Sequence, residues 1–206
     1  MTRKNNPQQT ISKILDVSAE LFMEKGYEHT TMQDIVNGLG MSKGAIFHHF
    51  KSKEDVMNGV IQRMTELIAN RATAIADDPA LSVAEKMQRA ILSMNISEGI
   101  GGKVITELHK PGNAQMHHTS IMNIMRMVTP ILARIVEEGI REGIYNTPFP
   151  LETTEILIAA SQVVFDSGIS RWNREELTAR ALAFVRMMEL SLGAAEGSFG
   201  FMLDNI

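Results

Sequence analysis

Cysteine is missing from all 206 positions, which excludes disulfides and thiolate metal sites. No apolar run approaches the roughly 18 residues that a membrane span needs. The start, MTRKNNPQQT, has basic residues without an apolar stretch behind them, so a signal peptide is not expected. No segment alternates apolar and polar residues as a half-buried strand would. There is no nucleophile–base signature, no glycine-rich phosphate loop and no carboxylate–histidine metal spacing. Neither an enzyme nor a resident cofactor is expected. The paired histidines His48–His49 and His117–His118 point about 100° apart on a helix and rarely ligate one ion together. No metal is therefore expected, and a cytoplasmic location fits.

What remains is rich in helix signals. Apolar residues make up 44% of the chain, enough for a core and too many for a disordered chain. Ile11, Ile14, Leu15, Ser18, Leu21 and Phe22 form a 3.6-residue stripe that stops at Gly26. Thr31 with Asp34, Ser52 with Asp55, Ser82 with Glu85 and Asn173 with Glu176 each match the capping pattern that opens a helix. Ser42 can cap a short helix through about Phe50. A long helix is expected over Ser52–Ala76, and another from Ser82 towards the glycine cluster before Lys103. A short helix is expected near Val104–Leu108. The amphipathic stretch Met116–Glu142 should be kinked or divided at Pro130. Two last helices are expected over about Glu152–Ile169 and Arg174–Leu192. The result is an all-α chain of about nine helices.

The formal net charge is -4, yet it is unevenly distributed. Residues 1–53 hold seven basic and five acidic groups, a formal +2, which leaves -6 for the rest. A basic end on an acidic body suggests that one end faces phosphate. Within that end, Ile35, Leu39, Met41, Ile46 and Phe50 are spaced to share one small core across two short helices separated by Gly40–Met41. This is helix-turn-helix spacing, in which the second helix enters the major groove of DNA. Lys43, Gly44, Ala45, Phe47, His48 and His49 are left facing outward there. Thr31, Ser42 and the Ser52–Lys53 pair stand at helix starts, whose N–H groups and dipole suit a phosphate.

Residues 10–57, with "FMEKGYEHTTMQDIV" followed by "GLGMSKGAIFHHFKSKEDVM", closely resemble the DNA-binding domain of the TetR family of repressors. The resemblance implies a helix-turn-helix domain over 1–53 and a larger helical ligand-binding and dimerisation domain over 54–206. It implies a homodimer paired through the last two helices, binding a palindromic double-stranded DNA operator and released by a small-molecule effector. By position, Thr31, Ser42, His48, His49 and Lys53 resemble phosphate-contact positions. Lys43, Gly44 and Ala45 resemble the base-reading end of the recognition helix. Position 47 is usually Tyr in that family, and Phe47 lacks the hydroxyl that touches phosphate there. The alternative is a DNA-binding regulator whose C-terminal domain only dimerises or binds a protein partner.

For an effector, the second domain offers many of the 15 methionines, adaptable side chains that fill cores and line apolar pockets. The expected effector residues are Met64, Met94, Glu107, His109, His117, Asn123 and Met127, which points to a largely apolar ligand oriented by a few polar groups. The apolar sets of the last two helices are wide enough to pack on their own body and on a second subunit. Val164 and Val185 are expected to face outward among them.

Overall fold

The computed structural model describes residues 7–94, 99–166 and 169–204. Among these residues the ordered elements are helical: α1 (Pro7–Lys25), α2 (Met32–Leu39), α3 (Lys43–His49), α4 (Lys53–Ala76), α5 (Val83–Ser93), α6 (Gly99–Leu108), α7 (Ala114–Met127), α8 (Thr129–Arg141), α9 (Pro150–Val164) and α10 (Arg174–Leu192). Short 3-10 turns cover Pro111–Asn113 and Gly200–Leu203. The Met116–Glu142 stretch is divided at Val128, just before Pro130, because the ring cannot continue the i→i−4 ladder but suits a helix's first turn. Counted as one broken helix, α7 and α8 make the total nine. No helix of the described residues is long and apolar enough to cross a membrane.

The capping pattern places the helix starts. Thr31, Ser82 and Asn173 each accept a hydrogen bond from the backbone three residues on, and Asp34, Glu85 and Glu176 return one. α6 begins earlier than Val104, and α9 ends at Val164, so Ile169 is not helical. Trp172 Nε1 and the Ser170 hydroxyl donate instead to the Val164 and Val163 carbonyls, satisfying the end of α9.

The described residues gather into two compact units. The first unites those of Met1–Met64 with those of Ile96–Ser120. Its core holds Ile14 and Phe22 of α1, Ile35 of α2, Ile46 of α3 and Val56, Met57 and Val60 of α4. Val104 and Leu108 of α6 and Met116 of α7 close it. Packing thus joins α6 to the helix-turn-helix segment, whereas the 1–53 and 54–206 division is one of expected function.

The second unit unites the described residues of Thr65–Asn95 with those of Ile121–Ile206. Here α8 packs against α5 and α9, and α9 against α10. Lys86, its side chain almost fully buried, is neutralised by both oxygens of Glu138 at 2.7 and 2.9 Å. Gly139 lies flat under Tyr145, where a Cβ would collide with the ring. After Gly193, in the left-handed conformation (φ +62°), the chain folds back. Buried Glu189 receives the Gly197 N–H at 2.6 Å, and Phe199 stacks on Tyr145.

One expected orientation is corrected. Val185 is buried within the protomer, and Val164 is half-buried. The outward apolar residues of α10 are Leu182, Met187 and Leu190, and those of α9 include Ile156 and Val163. α10 carries apolar residues around much of its circumference, so apolarity alone did not tell the inner face from the outer.

Candidate nucleic-acid interface

The end of α1 fixes where the next two helices begin. Gly26 adopts the left-handed conformation (φ +82°) that ends a helix without a Cβ clash. The buried Thr30 hydroxyl donates to the Gly26 carbonyl at 2.8 Å. The Thr31 N–H and hydroxyl both donate to Asp34, whose carboxylate also receives Lys25 at 2.7 Å. The Lys25 bond first, and those from Thr31 next, hold the Asp34 carboxyl well below the usual carboxylate range. α2 then crosses α1 closely at Gly38, where a Cβ would lie 2.9 Å from Val17.

Gly40, left-handed at φ +60°, ends α2, and Ser42 caps α3 by accepting the Ala45 N–H. Ile35 and Ile46, both fully buried, anchor the helix pair to the core. That leaves Lys43, Gly44 and His48 exposed, with Ala45, Phe47 and His49 half-buried. The Lys43 ammonium sits 5.4 Å from the Phe47 ring centroid. The rings of His48 and His49 meet edge to face at 5.1 Å. Lys51 Nζ donates to the Phe47 carbonyl at 2.7 Å, where cations suit a helix C-terminus.

At the start of α4, Asp55 accepts the N–H groups of Lys51 and Ser52, and the Ser52 hydroxyl accepts the Asp55 N–H. Lys53 turns back to the α1–α2 turn, donating to the Tyr27 carbonyl at 2.7 Å and lying 4.3 Å from that ring's centroid. Burial, and secondarily the Glu54 carboxylate, push the Tyr27 phenol up. Thr31, Ser42, Lys43, Gly44, Ala45, Phe47, His48, His49 and Lys53 thus all lie on α2, α3, their caps and the start of α4, within one unit.

The expected effector residues divide between the units. Met64, Glu107, His109 and His117 belong to the first, and Met94, Asn123 and Met127 to the second. Met64 packs against the first core. The Glu107 carboxylate accepts the Tyr27 N–H at 2.7 Å and pairs with Lys110. The rings of His109 and His117 meet edge to face at 5.0 Å. Met94 and Met127 are half-buried. Asn123 is buried, its Oδ1 accepting from Arg126 at 3.3 Å. Its Nδ2 is buried without a hydrogen-bond partner among the described residues.

Tyr27 and Lys110 escaped sequence reasoning. The Gly26–Tyr27 step marks a helix end, but nothing local reveals that a carboxylate 80 residues away closes on it. A recess of about 140 Å³ in the second unit, between Ala76, Ile135 and the charged groups Arg134, Glu137, Glu138 and Arg141, was also unforeseen. Its charges largely balance one another.

Comparison with known proteins gives two family matches. Residues 14–60 match the model described as bacterial regulatory proteins, tetR family. Residues 97–187 match the tetracyclin repressor-like C-terminal domain. The HTH-type transcriptional repressor KstR2 of Mycolicibacterium smegmatis is 31% identical over 83 residues, a match spanning 40% of each chain. The fatty acid metabolism regulator protein of Bacillus subtilis is 28% identical over 140 residues, 64% of this chain and 68% of that one. In fold, the crystal structure of RolR in complex with resorcinol is similar at a TM-score of 0.65 and 15% identity, covering 99% of this chain and 97% of that one.

Proposed function

Because this chain belongs to the TetR family of bacterial transcriptional regulators, we propose that it is a ligand-responsive repressor that binds a palindromic operator as a homodimer. The observation that carries this reading is α3, held by buried Ile46 so that Lys43, Gly44 and His48 stand exposed along one short helix. A cation and a residue without a side chain at the helix start permit close approach to base edges. His48, His49, Thr31, Ser42 and Lys53 serve as phosphate contacts, which fix register rather than sequence. Residues 1–53 form the DNA-reading part, and 54–206 carry dimerisation and effector sensing. The exposed Ile156, Val163, Leu182 and Leu190 support pairing through α9 and α10.

Asn123 supports the effector reading. A guanidinium only donates, so the bond from Arg126 fixes the amide oxygen and leaves Nδ2 as a buried donor. An unpaired buried donor costs about 1–3 kcal/mol, which an effector oxygen accepting from it would offset. RolR, crystallised with resorcinol, is a relative in fold whose ligand carries such oxygens. The effector is therefore a largely apolar small molecule bearing an acceptor, with Met94, Asn123 and Met127 among its contacts. It acts by preferring the form with low operator affinity.

The test is selection of bound sequences from random duplex DNA, repeated with small apolar acceptors. A palindrome should emerge, and Lys43→Ala should cost about 1–3 kcal/mol and relax base preference. Enrichment of no sequence over the random pool would overturn the reading. A palindrome that no small molecule releases would favour a C-terminal domain that only dimerises or binds a protein.

A further inference from the structure

The Lys53 ammonium is held by the α1–α2 turn. It donates to the Tyr27 carbonyl at 2.7 Å and the Glu28 carbonyl at 3.3 Å. An ammonium has three N–H donors. With two directed at this turn, the direction of the third depends on where the turn sits. The turn is in its own right tied to α6. The Tyr27 N–H donates to Glu107 Oε1 at 2.7 Å, across 80 residues of sequence. The Glu107 side chain is only 9% exposed, and its second oxygen accepts from Lys110. Its own carbonyl accepts from Asn113 Nδ2 at 2.8 Å, which secures the end of α6. Tyr27 is thus gripped at both backbone groups, its N–H by a carboxylate of α6 and its carbonyl by an ammonium of α4. A buried carboxylate is tolerated only when its oxygens are paired. Here they are paired within the protein, with this backbone N–H and with Lys110.

We propose that Glu107 is a positioning residue for operator binding: it fixes the Tyr27 turn and so aims the Lys53 ammonium at a DNA phosphate. The inference rests on the reading of Lys53 as a phosphate contact. Glu107 touches no DNA and adds no charge to the interface. Its effect passes through the backbone of one residue, Tyr27, so it follows the reach of the carboxyl oxygen rather than the carboxyl's charge.

The salt dependence of operator affinity separates this role from a general loss of structure. The full chain is titrated with the duplex selected from random sequence, at several salt concentrations. Lys53→Ala should weaken binding and flatten the plot of log affinity against log salt by about 0.9 for each phosphate no longer neutralised. Glu107→Ala should flatten it similarly, and the double variant should bind no more weakly than Lys53→Ala alone. Glu107→Gln keeps an acceptor for the Tyr27 N–H while ending the ion pair with Lys110, and should keep the wild-type slope. Should the alanine variant lose helicity by circular dichroism, Glu107→Asp carries the same test, because it keeps the charge and shortens the reach. Weaker binding at unchanged slope, or additive losses in the double variant, would overturn the proposal. A glutamine variant as flat as the alanine one would assign the effect to the Lys110 pair and overturn it equally. If Lys53→Ala itself leaves the slope unchanged, the phosphate reading of Lys53 fails first, and the role of Glu107 falls with it.

Discussion

Phe47 is half-buried, with the Lys43 ammonium over its ring, so it belongs partly to the helix pair and partly to the outer surface. A hydroxyl at this position would supply the hydrogen-bonding group that Phe47 lacks. Phe47→Tyr is therefore expected to tighten operator binding by about 0.5–1.5 kcal/mol, the worth of one hydrogen bond, measured by fluorescence anisotropy on the selected operator. Unchanged affinity with intact helicity would mean that position 47 does not reach a phosphate. Buried Tyr145 makes a different prediction. Its surroundings push the phenol up to about 12, because the ionised form is poorly solvated there. Above pH 10 the unfolded chain releases this proton while the folded one retains it, so the unfolded state gains. Stability from Tyr145 is complete below about pH 10 and is lost as pH rises towards 12. Tyr27 shifts in the same direction, so the difference between wild type and Tyr145→Phe in urea unfolding isolates this contribution. If the two curves run parallel above pH 10, burial of Tyr145 has no alkaline cost.

Among the elements, those whose ends are set by neighbouring residues were legible in the sequence. Thr31 with Asp34, Ser82 with Glu85 and Asn173 with Glu176 cap as their spacing implies, and the break before Pro130 falls where the ring demands it. What the pattern of one helix cannot report is which distant helix covers it. α6 was legible only as a short turn of helix near Val104, yet Val104 and Leu108 complete the core beneath the helix-turn-helix pair. Glu107 shows the same limit, since nothing near it in sequence reveals that its carboxylate accepts the Tyr27 N–H. The packing between α8 and the loop after it is equally hidden. Gly139 leaves the Tyr145 ring the space that a Cβ would take. Gly139→Ala must push that ring aside, and overpacking of this kind costs about 1–3 kcal/mol. A calorimetric melting temperature within error of wild type would show that the ring yields freely.

For the whole molecule, the proposed dimer rests on the outer face of the last two helices. Leu190 is 67% exposed and Leu182 53%, on the same helix as buried Val185 and Met188. A charge at an outward position leaves the protomer's own core intact, whereas one at Val185 would unfold it. Leu190→Glu and Leu182→Glu are expected to give folded monomers by light scattering with operator binding abolished, because one half-site offers too few contacts. A monomeric variant that still binds the palindrome tightly would contradict the proposed dimer. The grouping of Met1–Met64 with Ile96–Ser120 also bears on how the protein comes to exist. As the chain leaves the ribosome, α1 to α3 emerge first but cannot finish their core, because Val104, Leu108 and Met116 have not yet been made. At roughly 5–20 residues per second, the nascent helix-turn-helix waits several seconds with part of its apolar interior open to solvent and to chaperones. The helix-turn-helix segment is thus synthesised well before the residues of α6 and α7 that complete its core.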